Sequence, residues 1–480
     1  MINNMTLSGV HGVKRTSIIT AFVISLAFAF FSQDFPLFLV GQVLFIFFFF
    51  FLFNKNLPPV LLFSFFFQWL FFQAQLFDAL WKGVSLIDLD YISKTKPEVV
   101  LLGFIGTFSF FFGIYVFARR VPVISFEDFR NFFLSIHLER LLRIYLVIYF
   151  ILFSVGNFIW FFPGLSQPLY VFTLFRWGLF FLLFTTVFFH NRLKGVLFIL
   201  ILVDIAIGFF SFFSNFKEVI YFSFLAYWIF FFRSTRLSKF SMVIVVILTI
   251  YLGAFWTAIK EDYRSFLNMG SGAQTIRVSQ NQAYSKLFQL AGGIQGNDLD
   301  RGFDELIDRL SYIIVFDEVY KRVPQKIPHE QGALWWAGIS RPFLPRLLFP
   351  GKKTLEDSKE LNYYSALNVE EKNTSISLSM MAGSYVDFGK WGMHIPLFLF
   401  GIFCGWVYLK AVKWGRYPVV GYALTMPMIF LLHINEESIN RIVSSMVLYL
   451  LVLWFIQKFL LGTFLRNILV MNPSIKNLKS

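Results

Sequence analysis

The chain has 480 residues, of which 57% are hydrophobic and 15% charged, and it contains 69 Phe. A soluble domain of this length has no core large enough to bury so much apolar surface, which excludes an ordinary soluble enzyme. The formal net charge is +14, yet residues 260–390 hold 16 Lys/Arg and 16 Asp/Glu, so the excess lies in short connections and termini. That distribution is typical of membrane topology and argues against a nucleic-acid partner.

The apolar runs are each long enough to cross a bilayer, and they predict an all-α polytopic integral membrane protein with the lipid bilayer as its first partner. The predicted spans are 17–33, 35–53, 57–74, 99–117, 141–162, 169–189, 195–213, 217–232, 240–259, 393–411, 418–433 and 442–462. Lys and Arg concentrate in alternate connections. The positive-inside rule therefore places both termini in the cytoplasm and the long polar segment on the opposite face.

This pattern predicts three regions. Residues 1–259 form a membrane domain with about nine transmembrane helices, and residues 393–480 form a second with about three helices and a cytoplasmic tail. Between them, residues 260–392 form one large, mostly helical external loop. Because a site for chemistry needs polar groups in a wet cavity, we expect function in this loop and in short connections on its side of the membrane.

Polar residues within the predicted spans are few. Gln68, Gln73, Gln75, Asp78 and Lys82 cluster at the outer end of the third span, where they either line a cavity or form a solvated helix end. Arg176 and Asp204 are the charged residues that lie more than five residues from either end of a predicted span, and we expect each to face protein, water or headgroups because lipid penalises charge. Arg176 lies about two turns inside its helix, close enough to reach an external cavity, so it is a candidate substrate ligand.

Two further segments have helical spacing. Phe126–Leu141 places Phe residues on one face and charges on the other, which predicts a helix in the cytoplasmic interface. Gly302–Tyr320 also repeats apolar residues at helical intervals, with Asp300 as its candidate cap. Arg341–Gly351 contains three prolines, which exclude a continuous helix.

The chain shows no phosphate-binding glycine loop, no zinc-binding His motif and no nucleophile elbow. Its six His are scattered, and Cys404 is the single cysteine, so we predict no metal site, no cofactor and no intramolecular disulfide.

Cations are dense in the external loop. Lys260 and Arg264 are four apart, so on a helix they share a face. Arg341 and Arg346 flank a proline-stiffened segment, followed by Lys352. An Arg guanidinium binds phosphate oxygens through two parallel bonds, so these residues are candidates to bind a lipid pyrophosphate. The alternative for each is contact with lipid headgroups.

Three stretches resemble the Wzy-type oligosaccharide repeat-unit polymerases, the O-antigen polymerase group of bacterial inner-membrane proteins. They are Lys260-Glu-Asp-Tyr-Arg264 after a span, Arg341-Pro-Phe-Leu-Pro-Arg346-Leu-Leu-Phe-Pro350-Gly-Lys352, and Tyr385-Val-Asp387-Phe-Gly389-Lys-Trp-Gly392 before a span. The topology extends the resemblance along the whole chain. It implies a GT-C-like architecture, a periplasmic loop in the inner membrane, and a metal-independent glycosyltransferase.

The resemblance also implies the partners, which are polyprenyl-pyrophosphate-linked glycans as donor and acceptor, with a chain-length regulator protein as a further candidate. Transfer to a hydroxyl needs a base and cations for the leaving pyrophosphate. Tyr385 joins the cations as a substrate-binding candidate. The candidate bases on the external face are Asp387, His433, Glu436 and Glu437. The alternative for each acid is a salt bridge or a solvated loop charge.

Aromatic residues in the loop provide candidates for glycan contact. Trp335 and Trp336 are predicted to stack on sugar faces, and packing within the loop is the alternative for both.

Two functions other than a polymerase also fit the sequence. A ligase would use the same lipid-linked donor, whereas a lipid-linked glycan transporter or flippase would need no transfer chemistry.

Overall fold

The computed structural model describes residues 15–89, 95–158, 165–210, 216–271, 276–294, 296–311, 313–344, 349, 351, 357–367 and 376–470. Over these residues the chain is helical, with a single β-bridge between Ile136 and Leu469 and no strand, so the predicted all-α class is confirmed. The chain forms two compact units. We call residues 1–190 with 312–480 the main unit, and Asn191–Ser311 the inserted unit.

The helices follow one another along the chain. The first part of the main unit contains α1 (Arg15–Phe30), α2 (Phe35–Leu52), α3 (Val60–Lys82), α4 (Pro97–Ala118), α5 (Phe126–Leu134), α6 (Leu138–Phe158), α7 (Ser166–Leu174) and α8 (Arg176–His190). The inserted unit contains α9 (Lys194–Phe210), α10 (Phe216–Phe231), α11 (Arg236–Leu267), α12 (Gln280–Gly292) and α13 (Gly296–Leu310). The main unit then resumes with α14 (Ile313–Arg322), α15 (Ala333–Ser340), α16 (Asp357–Tyr364), α17 (Met380–Gly392), α18 (His394–Trp414), α19 (Pro418–Leu424), α20 (Ile439–Phe455) and α21 (Leu461–Ile468).

Seven helices among the described residues are long and apolar enough to cross a membrane, which makes the chain a multi-pass membrane protein. They are Phe35–Leu52, Val60–Lys82, Pro97–Ala118, Ser166–His190, Arg236–Leu267, His394–Trp414 and Ile439–Ile468. The other five of the twelve predicted spans fall on α1, α6, α9, α10 and the short helical segment Pro418–Phe430. Helices of 16 or 17 residues, such as α1, α9 and α10, measure about 25 Å, less than the hydrocarbon core.

Close helix packing in the main unit depends on small residues. A Cβ atom at Gly401 of α18 would lie 2.1 Å from the carbonyl oxygen of Phe110 on α4, and one at Gly113 of α4 would lie 2.3 Å from that of Phe398. The two backbones therefore meet directly, as small residues allow in membrane helices. This contact anchors the start of α18, and α17 precedes it by a single residue.

The end of α17 needs a glycine. Gly389 has φ of 68° and breaks the helix, and a Cβ there would lie 3.2 Å from Nε2 of His329. The imidazole Nδ1 of His329 lies 3.0 Å from the carbonyl oxygen of Val386. The Tyr-x-Asp-x-Gly motif thus ends in a backbone turn that only glycine adopts at low cost.

The inserted unit contains an unusually long helix. Residues 240–259 of α11 carry no charge, and the helix continues beyond Lys260 to Leu267. The expected loop start at residue 260 is therefore a helical extension, because Trp256, Ile259 and Tyr263 continue one buried face. The α13 helix packs on α11, where a Cβ at Gly302 would lie 2.4 Å from the carbonyl oxygen of Ala254.

Two helix predictions needed correction. Gly302–Tyr320 is not one helix, since α13 ends at Leu310 and α14 begins at Ile313, and Asp300 lies inside α13 instead of capping it. The chain passes between the two units at this point, which the apolar spacing does not reveal. The predicted Phe126–Leu141 helix ends at Leu134, and its Phe129 and Phe133 pack against Phe181 and Phe189 of α8.

Candidate functional site

Backbone hydrogen bonds join two distant parts of the main unit. The amide of Met380 donates to the carbonyl of Glu437 over 2.8 Å, and the amide of Met381 donates to that of Ile434 over 3.2 Å. The hydroxyl of Ser377 donates to the carbonyl of Glu436 over 2.7 Å. The turn before α20 is therefore fixed against the start of α17, and its acidic residues lie beside the end of the long loop.

Three helices interlock at this junction. A Cβ at Gly338 of α15 would lie 2.6 Å from Cγ2 of Ile439, and one at Gly383 of α17 would lie 3.0 Å from Cδ1 of the same residue. The glycines let α15, α17 and α20 approach closely. Four carboxylates gather around them, namely Asp357, Glu360, Asp387 and Glu437, and we call these the carboxylate cluster.

Asp357 is the best-connected member of the cluster. Its Oδ2 lies 2.5 Å from Nη2 of Arg441, and its Oδ1 accepts a hydrogen bond of 3.1 Å from the hydroxyl of Ser438. Its side chain is only 3% exposed, whereas that of Arg441 is 43% exposed. Arg441 also lies 3.6 Å from Oε2 of Glu437. One guanidinium thus joins two acids at the first turn of α20.

Glu360 lies one turn after Asp357 on α16. Burial, together with the nearby charges of Asp357 and Asp387, raises the pKa of its carboxyl to about 7, although the charge of Arg341 opposes the rise. A carboxyl with a pKa near neutrality exchanges a proton readily at physiological pH. The guanidinium of Arg341 acts on the same carboxyl, so a base and a cation lie close together.

Asp387, a candidate base, holds the start of α15. Its Oδ1 accepts a 3.1 Å bond from the amide of Leu334, and its Oδ2 accepts a 2.9 Å bond from the amide of Trp335. Burial raises the pKa of this carboxyl, although the backbone donors oppose the rise. Since both oxygens already accept from a helix N-terminus and the residue is 1% exposed, this geometry favours a structural role.

His433 and Glu436 form a pair at the edge of the cluster. The Nδ1 atom of His433 lies 2.8 Å from Oε2 of Glu436. Burial lowers the pKa of His433, but the charge and hydrogen bond of Glu436 more than offset this and raise it above its ordinary value. Burial also raises the pKa of Glu437, against the opposing charge of Arg441. Three of the four candidate bases, His433, Glu436 and Glu437, therefore lie together in the turn before α20, and Glu437 also contacts Arg441.

Tyr385 has no exposed surface to offer a substrate. It is 1% exposed, its hydroxyl donates to the carbonyl of Val323 over 2.8 Å, and its ring stacks on Tyr320. Trp335 is also buried, at 6% exposed, and its Nε1 donates to the hydroxyl of Ser384 over 3.0 Å. Its burial favours the packing alternative for Trp335, and Tyr385 likewise packs inside the protein. Trp336, by contrast, is 73% exposed.

The candidate cations divide between the two units. Arg341 is the C-cap of α15 and starts a short 3₁₀ turn in the main unit, which agrees with the predicted helix break. Lys260 and Arg264 lie one turn apart on α11 of the inserted unit. Arg176 opens α8, directly after the break that separates α7 from α8, with its guanidinium 4.2 Å from the ring centre of Trp177. Arg346 and Lys352 lie outside the described residues.

Sequence reasoning missed three members of this site, Asp357, Glu360 and Arg441. The spacing of Asp357 and Glu360 places both on one face of a short helix, and Glu437 and Arg441 have the spacing of an ion pair. No pattern in the sequence indicates that these segments meet. Among the residues that the structure describes, no group of three or more His, Cys, Asp or Glu is arranged to hold a metal ion.

The carboxylate cluster thus places groups suited to proton transfer beside Arg341 and Arg441, whose guanidinium groups have the chemistry to pair with oxyanions. A family model described as a domain of unknown function (DUF8712) matches residues 98–470, a range that includes the whole cluster. No curated protein and no solved structure matches the chain. The chemistry must therefore be argued from the residues of the site.

Proposed function

The chain belongs to the DUF8712 family, and we propose, from its own residues, that it is a membrane glycosyltransferase that joins lipid-linked oligosaccharide repeat units. The observation that carries the proposal is the environment of Glu360, whose pKa lies near 7 and whose carboxyl interacts with the charge of Arg341. A base and an anion ligand are the two things that transfer from a pyrophosphate donor to a hydroxyl acceptor requires.

In the proposed reaction, a hydroxyl of the acceptor glycan attacks the anomeric carbon of the donor glycan. The bond between that carbon and the phosphate oxygen breaks, and polyprenyl pyrophosphate leaves with the electron pair. The Glu360 carboxylate takes the hydroxyl proton as the new glycosidic bond forms. Arg341 binds the oxygens of the leaving pyrophosphate and balances the charge that develops there.

Arg441 and Asp357 have a supporting role in this scheme. Their ion pair of 2.5 Å fixes the start of α20 against α16, on which Glu360 lies one turn further along. The charge of Asp357 also helps to hold the pKa of Glu360 high. We expect this pair to position the base without contacting the glycan.

We also propose the finer topology, with twelve spans, both termini in the cytoplasm and the carboxylate cluster at the external face of a bacterial inner membrane. The clustering of Lys and Arg in alternate connections supports it. In a Cys404→Ser background, a membrane-impermeant maleimide should label Lys359→Cys but not Arg466→Cys in intact cells. Labelling of Arg466→Cys but not of Lys359→Cys would show that the chain has the opposite orientation in the membrane.

The function is tested by purifying the full chain into liposomes with lipid-linked repeat units. Glu360→Gln keeps the shape of the side chain but cannot take a proton, so the transfer rate should fall about 100-fold or more. Glu127→Gln is the matched control, because Glu127 is an exposed acid of α5 that pairs only with Arg130 among its described ion pairs. Its rate should equal that of the wild type.

The dependence of the transfer rate on pH provides a second test of Glu360 as the base. The wild-type rate should rise with pH through about 7 as Glu360 ionises. An unchanged rate and profile in Glu360→Gln would exclude it as the base. Product length distinguishes a polymerase from the rival ligase. Loss of a ligase would leave long lipid-linked polymer, whereas loss of a polymerase leaves single repeat units on the acceptor.

A further inference from the structure

The inserted unit contains an open groove that none of the candidate residues from the sequence lines. It has a volume of about 610 Å³ and lies between the last turns of α11 and the facing side of α12. We call it the juxtamembrane groove. Its charged lining residues are Asp262, Arg277 and Lys286, and Phe266, Gln282 and Leu290 are among the others.

The position of the groove follows from the length of α11. Residues 240–259 carry no charge and, at 1.5 Å per residue, measure about 30 Å, which is the thickness of the hydrocarbon core. Asp262 and Phe266 follow within two turns of Lys260, the first charge after this run. The groove therefore begins at the depth of the lipid headgroups, which extend about 5–8 Å beyond the hydrocarbon.

Local contacts hold the groove open. The amide of Arg277 donates to the carbonyl of Leu267 over 2.8 Å, which brings the chain back alongside α11. Ser279 and Gln282 form a capping box that starts α12. The ammonium of Lys286 lies 5.8 Å from the ring centre of Phe266, so the two helices approach across the groove.

The chemistry of the lining fits one class of ligand. Arg277 and Lys286 provide two cations for a phosphate, and Phe266 and Leu290 provide an apolar surface beside them. Asp262 adds an acceptor that would repel a bare anion but would bind an N–H or O–H group next to the phosphate. We propose that the juxtamembrane groove binds the phosphate headgroup of a membrane lipid that carries such a donor. This inference does not depend on glycosyl transfer.

Two sources of this headgroup are distinguishable, namely a phospholipid and the polyprenyl pyrophosphate carrier of a glycan. The full chain would be purified in detergent, and retention of added lipid would be measured by native mass spectrometry. Phosphatidylethanolamine and phosphatidylglycerol carry a donor group, and phosphatidylcholine does not. The first two should bind at least about 10-fold more tightly than the third, because one charge-assisted hydrogen bond is at stake.

Variants separate the groove from the rest of the surface. Arg277→Gln with Lys286→Gln should weaken retention of every phosphate lipid about 10-fold to 100-fold. Arg301→Gln is the matched control, since Arg301 is an exposed cation of α13 in the same unit, and it should bind as the wild type does. Asp262→Asn should reduce the preference over phosphatidylcholine while keeping the phosphate contact.

The same assay identifies the source. Tighter binding of a glycan-linked polyprenyl pyrophosphate, whose sugar hydroxyls supply the donor, than of either phospholipid would assign the groove to the glycan carrier, and the reverse order would assign it to bulk lipid. Saturation by inorganic phosphate with no retention of lipid would overturn the proposal. Equal retention by the double variant and by Arg301→Gln would overturn it as well.

Discussion

The carboxylate cluster and the juxtamembrane groove contain the same kinds of charged side chain, but they bury them to different degrees. Asp357 and Asp387 are 5% and 1% exposed, whereas Asp262 and Arg277 are exposed. Burial changes the proton affinity of an acid, and exposure leaves its charge available to a ligand. The comparison indicates that the first region is suited to proton transfer and the second to binding.

The two regions also differ in how they are held together. The cluster depends on three interlocked helices and on backbone bonds between segments far apart in sequence. The groove is built from two helices that follow each other along the chain. A change in core packing should therefore damage the cluster more than an exposed change of equal size.

The largest expected effect is a loss of stability, and two adjacent tryptophans compare a change in core packing with an exposed change. Trp335→Ala leaves a cavity against Phe400 and removes the hydrogen bond that the Ser384 hydroxyl accepts, so the free energy of unfolding should fall by about 3–5 kcal/mol. Trp336→Ala removes an exposed ring and should change it by less than about 0.5 kcal/mol while weakening use of the acceptor glycan. Denaturation in detergent measures the first value, and the dependence of rate on acceptor concentration measures the second. Equal stability losses would show that Trp336 is also packed.

Arg341 tests whether the cluster contains the pyrophosphate site. Removing one charge-assisted contact of the transition state costs roughly 2–4 kcal/mol, so Arg341→Ala should slow transfer about 30–1000-fold. Arg341→Lys should restore little, because a point charge cannot form the two parallel bonds of a guanidinium. Arg301→Gln, which removes an exposed cation of α13, should leave the transfer rate unchanged. Near-wild-type transfer by a stable Arg341→Ala protein would exclude this role.

Two ion pairs, one with a buried acid and one exposed, test whether burial strengthens the interaction. Asp357→Ala leaves Arg441 without its buried partner and should lower the free energy of unfolding by about 2–3 kcal/mol, at the low end for a buried pair because Arg441 is 43% exposed. Glu305→Ala removes the exposed contact of 3.9 Å to Arg301 and should cost at most about 0.5 kcal/mol. Double-mutant cycles measure both coupling energies. Similar values would mean that burial does not strengthen the pair of Asp357 and Arg441.

Much of the fold followed from the sequence, since apolar length and the absence of charge predict where long helices lie. Helix α11 illustrates the limit. Its apolar run predicts the span, but its continuation to Leu267 depends on a buried face formed by Tyr263 and its neighbours. Residue spacing describes one helix at a time, and the boundary between α13 and α14 is determined by packing within two different units.

The candidate site was predicted in part. Charge and location were sufficient to select Arg341, His433 and Glu437, because few polar residues lie on one face of a membrane protein. They were not sufficient to select Glu360. Its raised pKa depends on burial and on Asp357 and Asp387, and these contacts exist only once the chain has folded. The sequence also gave no sign that Asp387 would use both oxygens on a helix N-terminus.

The smallest expected effect is a change of stability with pH, and it depends on the buried acids of the cluster. The folded state holds the proton of Glu360 up to about pH 7, whereas the unfolded chain loses it near 4.5. Stability should therefore fall as the pH rises from about 4.5 to 7. Asp387 and Glu437, whose pKa values are also raised, act in the same direction.

The titration of His433 does not reverse this fall of stability with rising pH. The raised pKa of His433 gives stability that is present at low pH and lost as the pH rises. Glu360→Gln should flatten the slope by on the order of 1 kcal/mol between pH 5 and 7 after solvent screening, and Trp336→Leu should not. A wild-type slope in Glu360→Gln would mean that Glu360 ionises in the folded chain as it does in the unfolded chain, and the cluster would then hold no base tuned to neutral pH.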